Sequence, residues 1–121
     1  MNFVFATIHV TDLATSIRFY EDVIGLKVMK RFTSGSGMEI AFMADGPTEI
    51  ELLCHKQEKP KQYLPYPSFA FAVADLDQAM AEMKAKGVTI TKGPIHPNPS
   101  TRFFFIQDPD GMPLQLIEQK G

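Results

Sequence analysis

Few side chains in this sequence are equipped for chemistry. Glu51 and His55 lie four residues apart in TEIELLCHK, and His9 closes the apolar run FATIH. A carboxylate and two imidazoles are the groups from which zinc and first-row metal sites, and general bases, are built. Their spacing matches no recognised ligand pattern. If the runs are strands, side chains alternate, so Phe5, Thr7 and His9 share one face, and Glu51, Leu53 and His55 share another. Four residues along a strand then separate Phe5 from His9 by roughly 13 Å. Glu51 in a mostly apolar pocket would serve as an acid or base, or pair with a cationic ligand. The plainer reading is a carboxylate satisfied by Ser68 or Gln115. His96, in IHPNP, reads as a loop residue, and His9 as a histidine at a cavity rim or sheet edge. Cys54 is a single cysteine, which reads as a small buried hydrophobe. In DPDG, Pro109 fixes φ, Gly111 permits positive φ, and Asp108 accepts local backbone hydrogen bonds, so the motif is turn chemistry. The chain has no phosphate-binding loop and no nucleophile motif.

The elements that must position these groups are those of one soluble domain. A length of 121 residues suffices for a core without disulfides, and 45% hydrophobic with 21% charged residues is ordinary globular composition. Twelve Lys and Arg against fourteen Asp and Glu leave a net charge of −2, too balanced to bind a phosphate backbone by counterion release. Nucleic acid is therefore not expected as a partner. The basic stretch HKQEKPKQ at 55–62 is broken by Glu58 and Pro60 and reads as solvated linker. The opening MNFVFATIHV is short and lacks a basic leader, so neither a signal peptide nor a membrane span is expected. With one cysteine, this points to the cytoplasm.

The chain says nearly the same thing twice. FATIHVTDL at 5–13 returns as SFAFAVADL at 68–76, and Asp75 follows Asp12 by 63 residues, about half the length. Each Asp is a helix N-cap. Leu13, Ile17, Tyr20 and Ile24 lead at helical spacing to Gly25, and Leu76, Ala79, Met80 and Met83 lead to Gly87. GLKVMKRF at 25–32 answers GVTITKGP at 87–94 as the strand leaving the helix. MEIAFMADGPTEIELL at 38–53 answers TRFFFIQDPDGMPLQLIE at 101–118 as a hairpin turned at Asp-Gly. Each half is thus βαβββ, with modules at 1–57 and 67–121 and a connector at 58–66, in a stretch with three prolines. One helix covers one sheet face. The expected fold is α+β, with two βαβββ modules forming a curved eight-stranded sheet around a concave cavity. Phe42, Phe103, Phe104, Phe105 and Met38, Met43, Met80 and Met83 read first as core.

The duplicated Asp-Leu helices and the tail IQDPDGMPLQLIE resemble the vicinal oxygen chelate superfamily of glyoxalase I, extradiol dioxygenases, and fosfomycin and bleomycin resistance proteins. The resemblance spans essentially the whole chain, and HVTDLATSIRFYEDVIGLKV looks especially like bacterial glyoxalase I. It implies a homodimer and, in metal-dependent members, four ligands: one on each module's first strand, one on each last strand. Counting from the shared landmarks puts these at Phe5, Glu51, Ser68 and Gln115. Of these only Glu51 is a usual ligand, so no divalent metal and no other cofactor is expected. The reading is metal-independent binding of a small, partly apolar molecule, with Phe5, Thr7, His9, Glu51, Ser68 and Gln115 as ligand-binding residues. The alternative is a divergent glyoxalase I-like lyase or isomerase acting on a thiol-conjugate substrate, with Glu51 as base or an altered metal site.

Overall fold

The computed structural model describes residues 3–55 and 68–120. The connector expected at 58–66 lies outside them. The chain divides into two compact units, Met1–Gln62 and Tyr63–Gly121.

In the first unit, β1 (Phe5–Val10) leads through Asp12 into α1 (Leu13–Phe19), followed by β2 (Lys27–Thr33), β3 (Glu39–Ala44) and β4 (Glu49–Cys54). In the second, β5 (Phe69–Ala72), α2 (Leu76–Ala85), β6 (Lys92–Asn98), β7 (Thr101–Gln107) and β8 (Pro113–Gln119) repeat the order. Both sheets are four-stranded, ordered β1-β4-β3-β2 and β5-β8-β7-β6, and the first strand runs parallel to the last in each. This is βαβββ twice, as the repeat requires.

Alternation builds the core under each helix. Ile8, Val10, Ile50, Leu52 and Cys54 are buried with Leu13 and Ile17 of α1, which packs on β3 and β4, and with Tyr20 just after it. Leu114, Leu116, Phe104 and Ile106 are buried with Leu76, Ala79 and Met83, and α2 packs on β8. Phe103, Phe105, Met38 and Met80 were expected as core, yet they are only half-buried. Phe103 and Phe105 have odd-numbered positions on β7, opposite in parity to the buried Phe104 and Ile106.

The two helices end differently. After Leu13–Phe19 the chain widens into a π-helical turn, Tyr20–Ile24, and both Gly25 and Leu26 donate to the Tyr20 carbonyl at 2.9 Å. The regular α-helical spacing read through Ile24 therefore stops at Phe19. α2 closes with Gly87 at φ +73, Val88 donating to Met83 and Gly87 to Lys84, the paired bonds of a left-handed helix cap.

That cap also corrects the strand expected at 87–94. Val88 is still bonded to the helix, and the β6 ladder begins only at Lys92, after Thr91 donates to the Phe105 carbonyl through both N–H and Oγ1. His96, expected in a loop, therefore lies on β6, exposed. Pro94 and Pro97 are tolerated there because β6 is an edge strand. Gly93, at φ +106, lies so close to β7 that a Cβ would stand 3.0 Å from Phe103 O and Phe104 Cα. The hairpin turn at 108–111 forms as read: Asp108 accepts from the backbone of Asp110 and Met112 at 2.9 Å, and Gly111 has φ +88.

Candidate functional site

The register of the first sheet collects the chemistry-bearing residues on the face opposite its helix. Thr7 pairs with Glu51, His9 with Leu53 and Phe5 with Glu49 across the parallel β1–β4 ladder. Thr7 Oγ1 donates to Glu51 Oε1 at 2.7 Å. Beyond Glu51, Phe42 is its neighbour on β3, and Lys30 is the neighbour of Phe42 on β2. A row of four side chains, Lys30, Phe42, Glu51 and Thr7, thus crosses the sheet. Lys30 Nζ stands 4.6 Å from the Phe42 ring centroid, a cation–π distance. The Phe5 ring packs edge-on against Phe42 with centroids 5.2 Å apart, and still leaves 43% of the Phe5 residue exposed. Phe42 itself is buried.

The second sheet repeats the row with its polar end neutralised. Lys92 pairs with Phe105, Phe105 with Gln115, and Gln115 with Ala70. Phe105 again has an aromatic edge contact, here with Phe103 at 5.8 Å. Where the first module has a hydroxyl donating to a carboxylate, the second has a methyl beside an amide. Ser68 precedes β5, two residues before Ala70, and is exposed.

Four of the six residues singled out in the sequence, Phe5, Thr7, His9 and Glu51, are therefore brought to one face of one sheet. Gln115 belongs to the sheet of the other unit, and Ser68 immediately precedes that sheet's first strand. The bonding partner of Glu51 is Thr7, in place of the Ser68 or Gln115 that the sequence suggested. His9 is exposed on β1, an edge strand of its sheet, and His55 follows β4 with its Nδ1 buried and without a hydrogen-bond partner among the described residues. Among the described residues no three of His, Cys, Asp and Glu come together in an arrangement able to hold a metal ion, so His9, Glu51 and His55 do not assemble one.

One polar cluster went unnoticed in the sequence. Glu118, buried on the helix side of β8, accepts the Leu76 N–H at 2.7 Å and pairs with Arg102 at 3.0 Å, and Arg102 reaches on to Asp77 at 3.2 Å. The Leu76 hydrogen bond and then Arg102 hold the Glu118 carboxyl down at about 2. The cluster ties α2 to its sheet. In the first module the corresponding position is Cys54, buried, its Sγ 3.5 Å from the Thr11 carbonyl. The parity of Leu114, Leu116 and Glu118 was the available signal.

Comparison with known proteins adds the lineage. The family model described as glyoxalase/bleomycin resistance protein/dioxygenase superfamily matches residues 2–116. A lactoylglutathione lyase of Haemophilus influenzae is 30% identical over all of this chain and 95% of its own length. The glutathione transferase FosA of Serratia marcescens is 30% identical over 91% of this chain and 75% of its own. Among solved structures, the trypanothione-dependent glyoxalase I of Leishmania major superposes with a TM-score of 0.84 at 26% identity, covering 98% of this chain and 86% of that one.

Proposed function

The chain belongs to the glyoxalase/bleomycin resistance protein/dioxygenase superfamily, and from that premise we propose that it binds a small, partly apolar molecule without a metal, on the face of the first sheet that carries Glu51. The observation that carries this reading is the row itself. A carboxylate held at 2.7 Å by Thr7 stands beside an aromatic pair, so polar groups and apolar rings share this face. Such a mixture suits an apolar body oriented by few polar contacts. Phe5, Thr7, His9 and Glu51 are the contacts on this sheet.

The residues at the four positions where metal-dependent relatives carry ligands do not fit an ion. A phenyl ring has no lone pair to give, and serine and a neutral amide are poor donors to zinc or nickel beside a single carboxylate. The carboxylate Oε1 is moreover engaged by Thr7. Elemental analysis of untagged protein tests this. Far less than one equivalent of zinc, nickel, iron or manganese is expected, and a stoichiometric metal overturns it.

A second reading is favoured by the likeness to lactoylglutathione lyase: catalysis on a thiol conjugate, Glu51 taking a proton from the substrate as general base. Turnover by wild type that is abolished in Glu51→Gln while binding persists would select it. We assign the active species to a cytoplasmic homodimer. The exposed Phe3 and Val4, 71% and 59% accessible, support an association surface, and light scattering giving 13.5 kDa at micromolar concentration would refute it. Among the described residues no helix is long and apolar enough to cross a membrane.

A further inference from the structure

We infer that a single side chain, Phe5, denies the first sheet a divalent-cation site, and that it does so by withholding a donor rather than by bulk. The inference rests on the metal-free reading above and concerns the first sheet alone. Phe5 is the direct ladder partner of Glu49, and Thr7, two residues on, is that of Glu51. Alternation puts the side chains of residues 5, 49 and 51 on one face. Neighbouring strands lie about 4.7–4.9 Å apart and same-face residues of one parallel strand about 6.6 Å apart, within which imidazole and carboxylate side chains can converge on one ion. Two carboxylates therefore flank position 5.

Two carboxylates are one donor short. Among the described residues no group of three His, Cys, Asp or Glu suited to a metal exists, and an imidazole at position 5 would supply the third. What stands there is a ring packed edge-on against Phe42, with no lone pair. The position tolerates exchange because the residue is 43% exposed. Removing the ring without adding a donor leaves the pair of carboxylates as they are, with Glu51 still bonded to Thr7.

The test is calorimetric titration of NiCl2 and ZnCl2 alone into wild type, Phe5→His, Phe5→Ala and the double variant Phe5→His/Glu51→Gln. Wild type and Phe5→Ala should show no stoichiometric binding. Phe5→His should take one equivalent with a dissociation constant on the order of micromolar, and a melting temperature that rises with metal. The double variant should bind at least about tenfold more weakly, since an anionic donor has become a neutral amide. Phe5→Glu supplies a third carboxylate and should also gain binding, so it decides the matter if Phe5→His fails to fold. Metal bound by Phe5→Ala as tightly as by Phe5→His would overturn the inference, as would no gain in either donor variant. Stoichiometric metal on wild type would instead overturn the metal-free reading on which it rests.

Discussion

Glu118 and Leu76 are joined at 2.7 Å, a buried carboxylate receiving the first backbone N–H of α2 from 42 residues away. A helix N-terminus leaves several N–H groups without intrahelical partners, and its dipole favours negative charge there. With Arg102 donating to the same oxygen, Oε2, the carboxylate is fixed in the charged state.

This bond makes stability depend on acid. The folded carboxyl titrates at about 2, below its ordinary 4.5. A depressed folded value means that the contribution is complete above the ordinary value and is lost as pH falls from about 4.5 through about 2. Melting temperature followed from pH 7 to pH 2 should fall in wild type across that window, and Glu118→Gln should melt lower at pH 7 with a flatter acid limb. Parallel acid limbs in the two proteins would remove Glu118 as the cause.

The repeated Asp residues differ in what they hold. Asp75 accepts the Gln78 backbone N–H at 3.1 Å, whereas the Asp12 carboxylate makes its strongest bond to the Thr15 hydroxyl. Asp75→Ala should therefore cost about 1 kcal/mol in denaturant unfolding, the usual worth of an N-cap. Asp12→Ala should cost less, and an equal or larger loss there would contradict this difference in bonding.

Much of this was legible before any coordinates. The 63-residue echo of Asp12 in Asp75 gave the module, and strand parity placed Phe5, Thr7 and His9 on one face of their strand and Glu51, Leu53 and His55 on one face of theirs. The partnership of Thr7 with Glu51 was not legible, because it depends on the register of two strands 44 residues apart. Alternation tells which face a residue occupies and says nothing of its neighbour across the ladder. VTIT at 88–91 has a strand's β-branched composition, yet the helix cap claims Val88 first. Glu118 falls on the parity of Leu114 and Leu116, so the period of the strand marks it as helix-facing although its charge would suggest solvent.

Chelation should be without effect on folding. If no ion contributes binding energy to the native state, excess EDTA leaves the melting temperature unchanged, since only a ligand that binds the folded form raises it. A drop of several degrees, restored by adding back one metal, would show that an ion is part of the native protein.

The sharpest demand falls on Glu51. Its Oε1 is occupied by Thr7 at 2.7 Å, so the carboxylate is held in one orientation beside Phe42 and Phe5. A small cationic ligand anchored there makes a charge-assisted hydrogen bond, worth roughly 1.5–3 kcal/mol. Glu51→Gln, nearly isosteric and uncharged, should weaken that ligand by about ten- to a hundredfold. Thr7→Val keeps the shape of the side chain and removes the donor, and should weaken it by a smaller factor through loss of orientation. A thermal-shift screen of alkyl and aryl ammonium compounds supplies the ligand, and calorimetry on the three proteins measures the ratios. If wild type and Glu51→Gln bind the best compound equally and neither turns over any substrate, Glu51 is a structural carboxylate satisfied by Thr7, and its functional assignment ends.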